Sequence, residues 1–282
     1  MKGLLIYNSF FGKNNKLYYL VEDLVRESKA LNISLDLKGN EDFLIQKDIE
    51  ADCDFVLFWD KDIYLARAFE EKGIPVFNSS EAIRISDSKI ETHFKVKDEL
   101  KIPKTIVGPF SYFEKNYDES YLDRVLSYLG EKIVVKEDKG SFGMQVYLAK
   151  GKEELKKILE SLGNKNFLME EFIESSEGRD LRVNVVGSSV IGAMERSNDK
   201  DFRSNITLGG KAKYVKCDDE ACEMALKACE LIGTDFAGVD LLYGDEGYLF
   251  GEINSNVNYL SFNKASGLNM GKSILEYIGG KL

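Results

Sequence analysis

The chain has 282 residues, of which 44% are hydrophobic and 30% charged, and its formal net charge is −10. This is the composition of an ordinary soluble globular protein, long enough for more than one domain. It excludes a membrane span, because no run of about 18 apolar residues occurs, and it argues against non-specific nucleic-acid binding, which needs clustered lysines and arginines.

The N-terminal "MKGLLIYNSF" is too short and too soon polar for a signal peptide and reads as a first buried strand, so the cytoplasm is the expected compartment. "GLLIY" and "DFVLFW" are short apolar runs suited to strands buried on both faces. "NKLYYLVEDLVRESKAL" between them has helical spacing, and "GIPVFNSS" reads as a third strand and a turn. Strand and helix alternating in this way predict a small parallel α/β domain over residues 1–85. It has no GxGxxG, so no dinucleotide site is read there. "SDSKIETHFKVKDELK" predicts a helix capped by Ser86 or Asp87. A turn into a strand ("KIPKTIVGP") follows, then a helix at about 119–130, and then strand, glycine-rich loop and strand in "KIVVKEDKGSFGMQVYLAK". "GKEELKKILESLG" reads as an amphipathic helix ending on Gly163, "NFLMEEFIE" as a strand, and "DLRVNVVGSSVIGAMER" as a hairpin about Gly187–Ser189. "DDEACEMALKACELIG" and "NMGKSILEYI" predict helices on either side of "DFAGVDLLYGDEGYLFGEINSN", two strands joined by a tight turn.

Four cysteines (Cys53, Cys217, Cys222, Cys229) show no metal or redox spacing and read as structural thiols. The single histidine, His93, reads as a surface residue, which sets aside histidine-base chemistry. The chemistry lies elsewhere. Glu252 and Asn254 are two apart on one strand and leave it on the same face. Asp240 joins them if the "GDEG" turn leaves three or five residues unpaired. Two carboxylates and an amide oxygen on one patch suit Mg²⁺ and phosphate oxygens; alternatively, both carboxylates sit on the solvent face of the hairpin. Lys136 precedes Gly140, Ser141 and Gly143, so the loop is no Walker A motif, yet its lysine and backbone N–H groups suit an anion and its glycines suit a lid; a plain hairpin turn has the same residues. The strand end Glu170, Glu171, Phe172, Ile173 offers backbone groups to a flat base and a carboxylate to a ribose hydroxyl, or is an ordinary charged edge followed by Arg179, Asp180 and Arg182. Arg203 and Asn205 alternate on an extended segment before Gly209–Gly210, where a guanidinium and an amide suit phosphoryl or oxyanion charge, or belong to an exposed loop.

The order of these pieces, from lysine strand and glycine loop through "EEFI", "GRDLR", "FRSN…GG" and "AGVD" to "EIN", resembles the ATP-grasp superfamily and, more narrowly, its RimK-like α-L-glutamate ligase branch, over roughly Phe77 to Ile278. The resemblance implies an α/β (α+β) protein: a small N-terminal parallel α/β domain, then an ATP-grasp fold of two α+β subdomains (86–168 and 169–282) clasping the nucleotide. It implies ATP and two Mg²⁺, with Mn²⁺ as a substitute. Lys89 and Lys136 would hold phosphates, Glu170 to Ile173 would cradle adenine, and Arg179 to Asp180 would lie near the ribose. Arg203 and Asn205 would face the γ-phosphate, and Asp240, Glu252 and Asn254 would hold metal. The implied reaction joins a carboxylate to an amine through an acyl phosphate, adding an amino acid such as glutamate to a peptide, protein or small-molecule acceptor, in a homo-oligomer. A non-catalytic ATP-binding module and a small-molecule kinase are the alternatives. The sequence departs from the family pattern where Asn256 and Val257 replace the expected proline and glycine.

Overall fold

The computed structural model describes residues 1–11, 17–45, 49, 52–113 and 116–282. In chain order its elements are β1 (Lys2–Tyr7), α1 (Tyr18–Ala30), β2 (Ser34–Gly39), β3 (Phe55–Trp59), α2 (Ile63–Glu71), β4 (Val76–Phe77), α3 (Ser80–Ser86) and α4 (Lys89–Val96). Then come β5 (Thr105–Val107), α5 (Glu119–Leu129), β6 (Lys132–Glu137), β7 (Val146–Lys150), α6 (Lys152–Ser161) and β8 (Phe167–Glu171). The last part contains β9 (Arg179–Val186), β10 (Ser189–Ser197), β11 (Lys211–Val215), α7 (Asp219–Ile232), β12 (Phe236–Gly244), β13 (Gly247–Asn254), α8 (Leu260–Ser266) and α9 (Met270–Lys281).

Three sheets result: parallel β2-β1-β3-β4, antiparallel β5-β8-β6-β7, and antiparallel β11-β10-β9-β12-β13. The mixed α/β class expected from the sequence is the one observed. The short strands β2 and β11 and helices α2, α3 and α8 are not read from the sequence. β2 is an edge strand, half-exposed along most of its length, so it lacks the apolar run that marks β1 and β3. α8 lies in a stretch read as a loop; its seven residues give too few turns for a helical period to show.

The helix expected over 86–101 with its cap at Ser86 or Asp87 is α4, which starts later, at Lys89; a separate helix not read from the sequence, α3, precedes it. Asp87 closes α3, and Ser88 caps α4, its Oγ accepting from Glu91 N at 3.1 Å. The break arises because Asp138, from the far end of β6, takes over the start of α4: its Oδ1 accepts from Ser88 Oγ (2.6 Å) and Ile90 N (3.1 Å), and its carbonyl from Lys89 N (3.0 Å).

The cores cross the expected boundary near residue 86. Leu5, Leu57 and Trp59 of the parallel sheet share one cluster with Phe236, Val257, Tyr259, Phe262 and Ile274. Ile85 and Val96 pack with Val183, Val239 and α7 in another. Asn78, after β4, is fully buried and ties the two parts together. Its Nδ2 donates to Phe236 O (3.0 Å) and Ser255 O (3.2 Å), and its Oδ1 accepts from Asp235 N (2.6 Å) and Phe236 N (3.2 Å). Among the described residues no helix is long and apolar enough to cross a membrane.

Candidate active site

The third sheet has two unlike faces. Leu181, Val183, Val185, Ala237, Val239 and Leu241 turn to α7 and build its core. The alternate residues carry Asp180, Arg182, Arg196, Asp240, Glu252 and Asn254 on the other face, because side chains alternate along a strand and cross-strand partners share a face. The polar residues of the β12–β13 hairpin thus lie together, and the register that brings Asp240 opposite Glu252 has an unexpected origin. The turn leaves two residues between the paired Gly244 and Gly247, which by itself would set Asp240 against Gly251. A bulge between Asp240 and Leu241 on one side and Gly251 on the other shifts the pairing by one and restores Asp240 opposite Glu252.

Asp240 is held by two arginines. Arg182 donates to it through Nε (2.6 Å to Oδ1) and Nη2 (2.7 Å to Oδ2), and Arg196 Nη2 lies 2.9 Å from Oδ2. Burial would push its carboxyl up, but the two guanidiniums outweigh burial and hold it below the usual carboxylate range. Asp180 accepts hydrogen bonds from Arg196 Nε (2.7 Å) and Ser204 Oγ (2.5 Å). For a hard divalent cation the donor set fits in part: Glu252 and Asn254 face the cleft with oxygen donors, and Oδ1 of Asp240 accepts one bond and keeps a lone pair. Asn254 Nδ2 is buried without a partner, which leaves its amide to be oriented by what its oxygen binds.

The lysines anticipated for phosphates lie beside carboxylates. Lys89 Nζ is 3.7 Å from Glu252 Oε1, and Lys136 Nζ is 2.7 Å from Glu170 Oε2. His93, expected at the surface, is half-buried in the crevice that also holds Lys89 and Lys136, and burial lowers its pKa. The Glu171 and Phe172 amides, anticipated as groups for a base edge, donate to the Lys104 and Lys132 carbonyls (3.0 and 3.2 Å). They fix the strand end, while Phe172 and Ile173 line the cleft beside Val134 and Leu242. Arg179 is exposed and stacks on the Tyr243 ring at 4.6 Å.

Arg203, expected to face the γ-phosphate, is engaged by the protein. It pairs with Asp201 (2.8 Å) and donates through Nη1 to the carbonyls of Gly143 (2.6 Å) and Val146 (3.3 Å), fastening the glycine loop to the "FRSN" segment. Gly143 has φ +73°, which favours glycine, and a Cβ there would push against Asn205 Oδ1. Ser141 receives Lys61 Nζ at 3.1 Å, a contact from the parallel sheet that gave no sequence signal.

Val257, in place of the expected glycine, is fully buried, and a Cβ added to Gly238 would meet its Cγ2 at 2.6 Å, so Val257 fills the space that Gly238 leaves. Just beyond, Asn258 faces the cavity, Tyr259 is buried with its hydroxyl on Asp23 (3.1 Å), and Asn263 holds Met270 N (3.1 Å).

Two cavities flank this face. One, of about 780 Å³ with its mouth, is lined by Lys136, Glu170 to Ile173, Asp180 and Arg203. The other, of about 1900 Å³ with its mouth, lies toward the parallel sheet and is lined by Asp60, Arg182, Asn254 and Asn256. Gly143, Arg196, Asn205 and Glu252 line both.

Residues 94–278 match the RimK-like ATP-grasp domain. The chain belongs to this family. It is 31% identical over 264 residues to an uncharacterised protein of Mycoplasma genitalium, covering 90% of this chain and 91% of that one. It is 33% identical over 220 residues to a probable alpha-L-glutamate ligase of Trichodesmium erythraeum, covering 76% and 71% of the two chains. Its fold is that of D-alanine–D-alanine ligase from Bacillus anthracis complexed with ATP, with a TM-score of 0.77 and 18% identity over 99% of this chain and 96% of that one. This RimK-like chain takes its place among the ATP-dependent carboxylate–amine ligases.

Proposed function

We propose that the chain joins a carboxylate to an amine at the expense of ATP, through an acyl phosphate. The observation that carries this reading is the pair of cavities meeting at Glu252, Asn205 and Gly143. A nucleotide-binding module has use for the first cavity alone; a ligase has use for a second that opens on the same carboxylate.

In this reading the Lys136 strand and the half-buried Phe172–Ile173 wall hold ATP as substrate, with Lys89 and Lys136 turned to its phosphates. Mg²⁺, or Mn²⁺ on the same oxygen donors, would be held by Glu252, Asn254 and Asp240 and would supply charge neutralisation for phosphoryl transfer. The γ-phosphoryl group passes to the substrate carboxylate with release of ADP. The amine then attacks the acyl carbon and phosphate leaves, so an amide or peptide bond forms and no side chain acts as nucleophile. Arg203 and Lys61 hold the glycine loop down on either side, which excludes water from the acyl phosphate. Asn205, between the two cavities, is the residue placed to meet developing oxyanion charge. The donor is an amino acid, and the acceptor a peptide, protein or small molecule. Cytoplasmic ATP would supply the reaction, and the chain would act as a homo-oligomer.

The test is ADP release with Mg–ATP across amino acids and short peptides, singly and in pairs, with product masses. A product one water lighter than the sum of its two substrates supports a ligase, and Glu252→Gln should lower kcat by about 100-fold or more. ATP binding with no turnover across the panel counts against ligation, and a normal rate in the Asp240→Ala, Glu252→Ala double variant sinks the metal assignment.

A further inference from the structure

We propose that the larger cavity anchors a positively charged group of the substrate, an ammonium, on Asp60, whose carboxylate Asn8 orients, so that the amino compound this chain takes is a cationic one. The proposal rests on the ligase reading for what is done with that compound, but the anchor itself can be measured without turnover.

Asp60 directly follows β3 and Asn8 directly follows β1, at the carboxyl ends of the two central strands of the parallel sheet. The crevice outside such strand ends is where open parallel sheets bind ligands. Asp60 is 5% exposed. Its partners are neutral: Asn8 Nδ2 donates to Oδ1 and Oδ2 (3.1 and 3.4 Å) and Lys61 N to Oδ1 (2.7 Å). The adjacent Lys61 ammonium turns away, to Asp87 and Ser141.

The charges around the cavity otherwise match. Lys61 pairs with Asp87, Lys89 with Glu252, and Arg182 and Arg196 with Asp240 and Asp180. Among the described residues Asp60 has no ion-pair partner. A buried carboxylate without a cation is costly, and burial raises its pKa accordingly. The cavity adds a second orphan acceptor, the buried and unpartnered Oδ1 of Asn256, and the half-buried rings of Tyr7 and Tyr18. Acceptors beside aromatic walls suit an ammonium. An additional carboxylate on the ligand would instead need an unpaired lysine or arginine, and every lining cation among the described residues already has a carboxylate.

The experiment uses Asp60→Asn, which keeps the shape at the site, and Asn8→Ala as an independent variant. Lysine, ornithine, putrescine and glutamate are titrated into the protein calorimetrically, and the same four are offered with Mg–ATP and a panel of carboxylates in the ADP-release assay. Lysine, ornithine or putrescine should bind more tightly than glutamate. Asp60→Asn should weaken that binding, and raise KM for the same compound, by about 30-fold, as for a lost charge-assisted hydrogen bond. The KM for ATP should hold, and kcat should fall far less. Glutamate as the tightest ligand, no binding of any cationic probe, or cation affinity unchanged in both variants would each overturn the proposal. Cation binding that disappears in Asp60→Asn while no ADP is released would retain the anchor and overturn the ligase reading; ligation of glutamate with a KM indifferent to Asp60 would do the reverse.

Discussion

Arg196 is the residue on which the polar face depends. It is nearly completely buried, which taken alone would lower its pKa; Asp180 and Asp240 reverse this and keep it protonated. Removing it leaves two buried carboxylates, one with Ser204 and one with Arg182. Breaking a buried network from one side costs more than the network contributes, because the remaining charges stay desolvated. Arg196→Ala is expected to lower unfolding free energy by about 3–5 kcal/mol, read from urea denaturation. A loss below about 1 kcal/mol would mean that water reaches Asp180 and Asp240 and that they are not confined to the arginines. The same arrangement explains why Asp240 can lie on a buried sheet face at all.

At the scale of elements, the notable junction joins the start of α4 to the end of β6. Asp138 serves as an external cap for a helix whose first residue is Lys89, so the position of that lysine is set by the strand that also carries Lys136. Lys89 and Lys136, the lysines proposed to face the ATP phosphates, therefore move together. Asp138→Ala removes two hydrogen bonds at the helix start, and the backbone bond to Lys89 remains. Loss of about 1 kcal/mol in stability is expected, with KM for ATP rising about 5- to 10-fold and kcat changing less. If the KM for ATP stays at the wild-type value in steady-state assays, the cap does not position Lys89.

For the whole molecule, Asn78 is the joint. One amide side chain satisfies backbone groups of Asp235, Phe236 and Ser255, at the start of β12 and just beyond β13, from a loop of the parallel sheet. The β12–β13 hairpin and the sheet carrying Asp60 are thus held in a fixed relation, and the cavity between them keeps its shape. Asn78→Ala leaves several buried backbone groups unpaired, at about 1–3 kcal/mol each. The expected result is a fall of about 3 kcal/mol or more in stability, with KM for the amine substrate affected more than KM for ATP. A variant with an unchanged denaturation midpoint would show that these backbone groups find other partners.

Local pattern was enough to reveal β1, β3, the lysine strand, the glycine loop, the amphipathic α6 and α7, and the two-apart spacing of Glu252 and Asn254, because periodicity and glycine placement act over a few residues. The choice of partners lay beyond it. Asp240 reaches Glu252 through a bulge at Gly251, Asp180 and Asp240 share arginines from other strands, and Arg203 is drawn to carbonyls about sixty residues away. Asp60 reads in sequence as one more acidic loop residue, and its isolation appears only when the surrounding cations are seen to have found carboxylates elsewhere. Sequence fixes which groups are available and which way neighbours face. Which charge neutralises which depends on distance and burial, and those exist only once the sheets have packed.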